Sequence, residues 1–215
     1  MGLSKKNIES LQEIMIDCYG NIGCALNFKS PFELLVSTIL AAQCTDVRVN
    51  VVTGEMFKKY NKPQDFAFME QEKLEGLIKS CGFYRNKASA IISSSRAILD
   101  EYGGQVPDSL EKLVALPGVG RKTASVVLAN GFCIPAFAVD THVFRVTGRI
   151  GIAHEKTADK QSEALEKIFD KSKWIILHHC FIWHGRKVCS SQRPNCADCA
   201  VNELCKHYSV IFKRQ

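Results

Sequence analysis

The sequence has no apolar run long enough to cross a bilayer, for which about 20 residues in succession are needed. Its first residues, MGLSKKNIES, have neither the apolar core nor the small-residue cleavage site of a secretory signal. Together these absences predict a chain with no membrane association and a cytoplasmic location. Sustained apolar–polar alternation is also missing, which argues against a half-buried sheet. No low-complexity tract and no proline- or glycine-rich linker interrupts the chain, and only six prolines occur in 215 residues. If there are two domains, they are expected to pack together.

Apolar residues recur instead at helical spacing, so the whole chain reads as all-α. Ser4 is expected to cap a first helix with Ile8, Leu11, Ile14 and Met15 on one side, ending near Gly20. Ser30-Pro31-Phe32-Glu33 is a capping box with proline in the first helical position. Asp46 is expected to cap the next helix. A fourth helix is predicted around 70–80, and a fifth from about Arg85 to Glu101, stopping at Gly103-Gly104. Asp108 with Glu111 reads as another capping box, opening a short helix of Leu110, Leu113 and Leu116. Further helices are predicted near 121–129, 141–147, 157–169 and 173–184.

Lys and Arg outnumber Asp and Glu by 28 to 22, a mild excess that suits a polyanionic partner and equally an ordinary solvated surface. Ten cysteines in a cytosolic chain point to metal binding or burial rather than to disulfides. Cys18, Cys24, Cys44, Cys81, Cys133 and Cys180 are scattered among apolar neighbours and read as small buried hydrophobes. Cys189, Cys196, Cys199 and Cys205 are grouped as C-x6-C-x2-C-x5-C. Four thiolates this close suit tetrahedral zinc or an iron-sulfur cluster, and the spacing leaves both open.

The stretch LPGVGRKTA, residues 116–124, ends one apolar helix, turns on Gly118 and Gly120, and sets Arg121 and Lys122 at the start of the next. Cations are usually favoured at the opposite helix end, so local stability does not explain them. A helix start with unpaired amides is a ready anion site, and glycine lets another backbone approach closely. Lys122 reads either as a phosphate contact or as a nucleophile, since a neighbouring cation and a positive helix end both favour a neutral amine. Asp140, in Val139-Asp140-Thr141-His142, reads as an N-cap or as a carboxylate that takes a proton from such a lysine.

Taken with Ala41-Ala42-Gln43-Cys44-Thr45-Asp46 and Gly82-Phe83-Tyr84-Arg85-Asn86-Lys87-Ala88, these motifs resemble endonuclease III, the iron-sulfur DNA glycosylase family of the helix-hairpin-helix superfamily. The resemblance covers nearly the whole chain, with every motif in family order. It implies two packed helical domains with a helix-hairpin-helix motif at about 108–129 and a C-terminal four-cysteine cluster loop. One domain is the continuous middle, 21–133; the other joins 1–20 to 134–215 and carries a 4Fe-4S cluster on Cys189, Cys196, Cys199 and Cys205.

The implied activity is base-excision repair by a bifunctional glycosylase and abasic-site lyase. It removes oxidised or saturated pyrimidines from double-stranded DNA, then cleaves the strand by β-elimination. By resemblance Lys122 is the nucleophile and Asp140 its proton acceptor. Gln43 fills the hole left by the extruded base and Phe83 is the apolar wedge, at a position where the family more commonly has leucine. Gly118, Val119 and Gly120 form the phosphate-binding hairpin, and Arg193 presents a cation to DNA from the cysteine loop. The implied protein is a nucleoid-associated monomer.

The related adenine glycosylase lacks the lysine and carries a further C-terminal domain, whereas this chain has Lys122 and ends soon after Cys205. A thymine glycosylase of the same fold usually replaces the lysine as well. A non-catalytic DNA-binding module with structural zinc would keep the hairpin but give Lys122 and Asp140 no joint role. His178, His179 and His184 are expected to serve packing or surface roles, because four cysteines already complete a metal shell.

Overall fold

A computed structural model of the chain describes residues 3–212. Among these residues all regular structure is helical, and no helix is long and apolar enough to cross a membrane. The chain divides into two compact units: Cys24–Ile134, and the residues up to Gly23 together with those from Pro135 onward.

The middle unit is built on α2 (Pro31–Leu40), which is buried at every position from Phe32 to Leu40. It opens because Ser30 Oγ accepts the Glu33 amide at 3.2 Å while Pro31 supplies a preset φ. Glu33 reaches back to the Lys29 amide at 2.6 Å, one residue further than a capping box requires. Against it pack α3 (Asp46–Met56), α6 (Tyr84–Tyr102) and α8 (Arg121–Gly131), while α4 (Pro63–Ala67) and α5 (Gln71–Ile78) pack on α6 and α7 (Leu110–Ala115) packs on α8.

Two expected caps are corrected. Thr45 Oγ1, not Asp46, accepts the Arg48 amide at 3.3 Å, and Ser109 Oγ, not Asp108, accepts the Lys112 amide at 3.4 Å. In both places a hydroxyl residue adjoins the acidic one, and its neighbour places the third helical amide within reach. The α4 turn was not expected from the sequence. Its five residues are too few to show a helical period.

The second unit comprises α1 (Lys5–Tyr19), α9 (Thr141–Ile150), α10 (Ala158–Ile168), α11 (Trp174–Lys187) and α12 (Lys206–Phe212), the last also unexpected. Leu11 and Met15 of α1 join Phe137, Leu165, Leu177 and Phe181 in one core. Full burial of each large side chain contributes about 1.5–3 kcal/mol, enough to hold the distant N-terminal helix in place. His178, His179 and His184 are all buried on α11, in line with packing roles.

The scattered cysteines correct the expectation of burial. Only Cys81 and Cys180 are buried; Cys24 and Cys44 are partly exposed, and Cys18 and Cys133 are exposed. Apolar neighbours in sequence did not report burial, because on a helix or turn adjacent residues face different ways.

Candidate functional site

In the middle unit, α7 and α8 are joined by a tight hairpin. Val119 N–H donates to the Leu116 carbonyl at 3.1 Å, and the Val119 side chain is buried. Gly118 adopts φ +74°, and a β-carbon there would meet Ala90 Cβ of α6 at 2.5 Å. Ser94 Oγ, also on α6, donates to the Pro117 carbonyl at 2.6 Å. The turn is thus clamped to α6 on one side. Gly120 differs, because a β-carbon there would meet nothing within 4 Å.

Gly120 is the N-cap of α8 and provides no side-chain hydrogen bond. The first amides of the helix are therefore not claimed by a capping side chain, and Lys122 lies exposed in that first turn. Glycine at the cap keeps the approach open, and the helix dipole favours an anion there.

Gln43 and Phe83 lie on two further turns of this unit, and both are exposed. Each is a non-glycine residue with positive φ, +53° at Gln43 and +47° at Phe83. Such conformations persist only where the surroundings hold them, and they gather at functional turns. The surroundings are identifiable. Buried Lys87 donates Nζ to the Leu40 carbonyl at 2.9 Å, at the end of α2, and to the Cys81 carbonyl at 2.7 Å, just before Gly82-Phe83. One ammonium thus ties the bases of both turns, and burial holds its pKa below the usual lysine value. Lys87 was not singled out from the sequence, although it lies within the Gly82–Ala88 motif.

Asp140 belongs to the other unit. Its Oδ1 accepts both the His142 and Val143 amides at 2.8 Å, capping α9. Both bonds fall on one oxygen, so the second keeps its lone pairs for other chemistry. The next turns of α9 are fixed by Arg145, which donates to the carbonyls of Gly185 at 2.9 Å and Cys189 at 3.1 Å.

The loop from Cys189 to Cys205 closes around a cavity lined by all four of its cysteines with Ile150, Val188 and Val201. Arg149 of α9 grips it, donating to the carbonyls of Ser190 and Ser191 at 2.6 Å each and to Cys189 Sγ at 3.4 Å. Cys199 Sγ lies 3.6 Å from His184 Nε2, and His184 Nδ1 lies 3.2 Å from the Tyr19 hydroxyl. Burial pushes His184 down to about 4 and Tyr19 up to about 12. Tyr19, His184 and Cys199 thus form a continuous polar chain from α1 to the cysteine loop. Arg193 is exposed on the same loop.

The donor set fits an iron-sulfur cluster. Burial raises Cys196, Cys199 and Cys205, and the neighbouring thiols raise them further, so the site disfavours bare thiolates and calls for a compensating cation. Among the described residues no group of three or more His, Cys, Asp or Glu is placed to hold a single metal ion. Sulfurs around one zinc stand about 3.8 Å apart, as Zn–S bonds of about 2.3 Å in a tetrahedron require. A cluster instead spreads its four thiolates over separate irons.

Residues 36–171 match the HhH-GPD superfamily base excision DNA repair protein family. The chain is 44% identical over 205 residues to the endonuclease III of Bacillus subtilis (strain 168), covering 95% of this chain and 94% of that protein. It is similar in structure to a non-covalent endonuclease III–DNA complex, with TM-score 0.93 and 40% identity over 98% of this chain and 99% of that one. It is equally similar to a trapped endonuclease III–DNA covalent intermediate, at TM-score 0.93 and 41% identity over the same shares.

Proposed function

Because the chain belongs to the endonuclease III family of HhH-GPD base-excision repair proteins, DNA glycosylases and abasic-site lyases, we propose that it excises oxidised or saturated pyrimidines from duplex DNA and then cuts 3′ to the abasic site through Lys122. The observation that carries this reading is the placement of Lys122: exposed in the first turn of α8, directly after a glycine hairpin whose helix start is left open by its cap.

Saturated or oxidised pyrimidines lose ring planarity and stack poorly, which lowers the cost of extrusion. Gln43 fills the vacated position, Phe83 wedges the neighbouring step, and the amides of Gly118 and Gly120 hold a backbone phosphate. The neutral Lys122 amine attacks the sugar C1′; the C1′–N bond breaks, and its electron pair leaves with the base. Asp140 accepts the proton lost by the amine and stabilises positive charge developing on the sugar. The ring opens to an iminium, which acidifies C2′. Loss of the C2′ proton then expels the 3′ phosphate by β-elimination, and hydrolysis of the imine frees Lys122.

Cys189, Cys196, Cys199 and Cys205 would hold the 4Fe-4S cluster, which supplies a rigid cross-link for the loop that presents Arg193 to DNA. The protein acts as a nucleoid-associated monomer in the cytoplasm.

Borohydride reduction on a duplex with one abasic site tests the reading. A covalent protein–DNA adduct is expected from the natural protein and is absent from Lys122→Ala. Failure of folded, cluster-loaded natural protein to form it would instead favour a monofunctional glycosylase or a binding module.

A further inference from the structure

Lys87 is a buried charge. It lies in the first turn of α6 and is only 5% exposed, yet among the described residues it forms no ion pair with a carboxylate. Its Nζ donates instead to two carbonyls, those of Leu40 at 2.9 Å and Cys81 at 2.7 Å. A cation costs more to desolvate than an apolar side chain of similar length, so packing alone gives no reason for a lysine here. What the ammonium adds is geometric.

Both carbonyls stand at the roots of turns that carry a residue proposed to enter DNA. Leu40 is the last residue of α2, where helix carbonyls lack intrahelical partners and a cation is favoured, and Gln43 follows shortly after it. Cys81 ends the short 3-10 turn Lys79–Cys81, and Phe83 follows beyond Gly82, which has φ +66°. The Lys87 backbone amide also donates to the Phe83 carbonyl, at 3.2 Å, so this one residue grips the second turn on both sides of Gly82. Gln43 and Phe83 are left-handed themselves, and such backbone persists only where its neighbours fix it. Lys87 reaches the neighbours of both.

We propose that Lys87 is a positioning residue for damage recognition: by fixing the roots of both turns to one ammonium, it makes Gln43 and Phe83 enter the duplex as a single unit. The proposal rests on the DNA-inserting roles proposed above for those two residues. It concerns the opening of the base pair rather than bond breaking, because what Lys87 holds is the backbone of the two turns. Without the shared anchor each turn moves by itself, and the base returns to the stack whenever either residue withdraws.

The coupling is measured first with Lys87 unaltered. Gln43 and Phe83 are exposed, so their alanine variants are expected to fold. Full-length, cluster-loaded protein is used, and single-turnover excision of dihydrouracil from a duplex is followed for the natural chain, Gln43→Ala, Phe83→Ala and the double variant. Each single change should slow excision about tenfold and the pair little more than either alone, leaving a coupling factor of about ten. Multiplying losses, with the pair down about a hundredfold, would show that the turns act separately and overturn the proposal. No loss from either variant overturns the DNA-inserting roles themselves, and the proposal with them.

Lys87→Met then tests the cause, since methionine keeps an unbranched stem and cannot donate. Excision from the duplex should slow about tenfold, and the coupling factor should fall to within about twofold of one. Cutting of a single-stranded abasic oligonucleotide, in which no base pair has to be opened, should stay within about twofold of the natural rate. With 2-aminopurine opposite an abasic-site analogue, the fluorescence rise that reports unstacking should be smaller on binding Lys87→Met than on binding the natural protein. Lys87→Arg, which restores a cationic donor, should recover part of both signals.

A lysine that served stability alone would lower the duplex and single-strand reactions equally, because unfolded protein performs neither. That result, or an unchanged coupling factor in Lys87→Met, overturns the proposal. Where Lys87→Met fails to fold, Lys87→Gln replaces it in the same comparison with the same criteria. The cycle on Gln43 and Phe83 needs no change at Lys87 and stands as an independent check.

Discussion

Gly118 and Ala90 stand so close that a β-carbon on the glycine would lie 2.5 Å from that of the alanine. Gly120, two residues on, faces open space. Gly118→Ala must therefore push α6 away and also place alanine at φ +74°, lowering stability by about 1–3 kcal/mol. Gly120→Ala should leave the denaturation midpoint almost unchanged and weaken DNA binding alone, because only the approach of a phosphate is obstructed. Chemical denaturation paired with binding on the same samples distinguishes the two effects. Equal losses of stability would show that neither glycine is kept for its ligand.

Asp140 carries a cap and a charge that can be separated. Asparagine keeps an oxygen for the His142 and Val143 amides but accepts no proton. Asp140→Asn should retain thermal stability and lose about a hundredfold or more in single-turnover base excision. Asp140→Ala should lose both, with an added stability cost of about 1 kcal/mol. If asparagine supports near-normal excision, the carboxylate serves α9 alone.

Arg149 holds the cysteine loop by its guanidinium, spanning the Ser190 and Ser191 carbonyls. Lysine keeps the charge but cannot supply the planar fork. Arg149→Lys should lower the iron content per protein and speed cluster loss under a chelator, with the helical circular dichroism largely retained. Iron analysis and the decay of visible absorbance provide the measure.

His179 is buried, and burial pushes it down to about 4 from 6.5. The unfolded chain therefore binds the proton first as pH falls. Stability is fully present above pH 6.5 and is lost toward about pH 4. Between pH 7 and pH 5 this loss should amount to about 2 kcal/mol, and His179→Gln should remove it from the pH dependence of urea midpoints.

The helical character and most helix positions were legible because periodic apolar faces and Ser or Thr caps are local signals. Thus Ser4 accepts the Asn7 amide, and the predicted helix from Arg85 to Glu101 runs from Tyr84 to Tyr102. The hairpin was legible because Gly118 meets a conformational need written in the residue type. What escaped was long-range or very short. Arg145 and Arg149 bind backbone carbonyls about forty positions away, and any residue offers a carbonyl. The role of Lys87 is not legible because its carbonyl partners leave no mark on the sequence. Asp46 and Asp108 read as caps in the sequence because they share that preference with the hydroxyl residues beside them.

The second unit is assembled from both ends of the chain, and this imposes an order on its birth. During synthesis α1 emerges with Leu11 and Met15 uncovered, and their partners Leu177 and Phe181 are still untranslated. At about 5–20 residues per second, α1 waits roughly 10–30 s for α11 to appear. The middle unit can close during that interval, since its helices are contiguous. The ribosome thus delivers the hairpin scaffold before the cysteine loop, which closes in a protein whose other half is already folded.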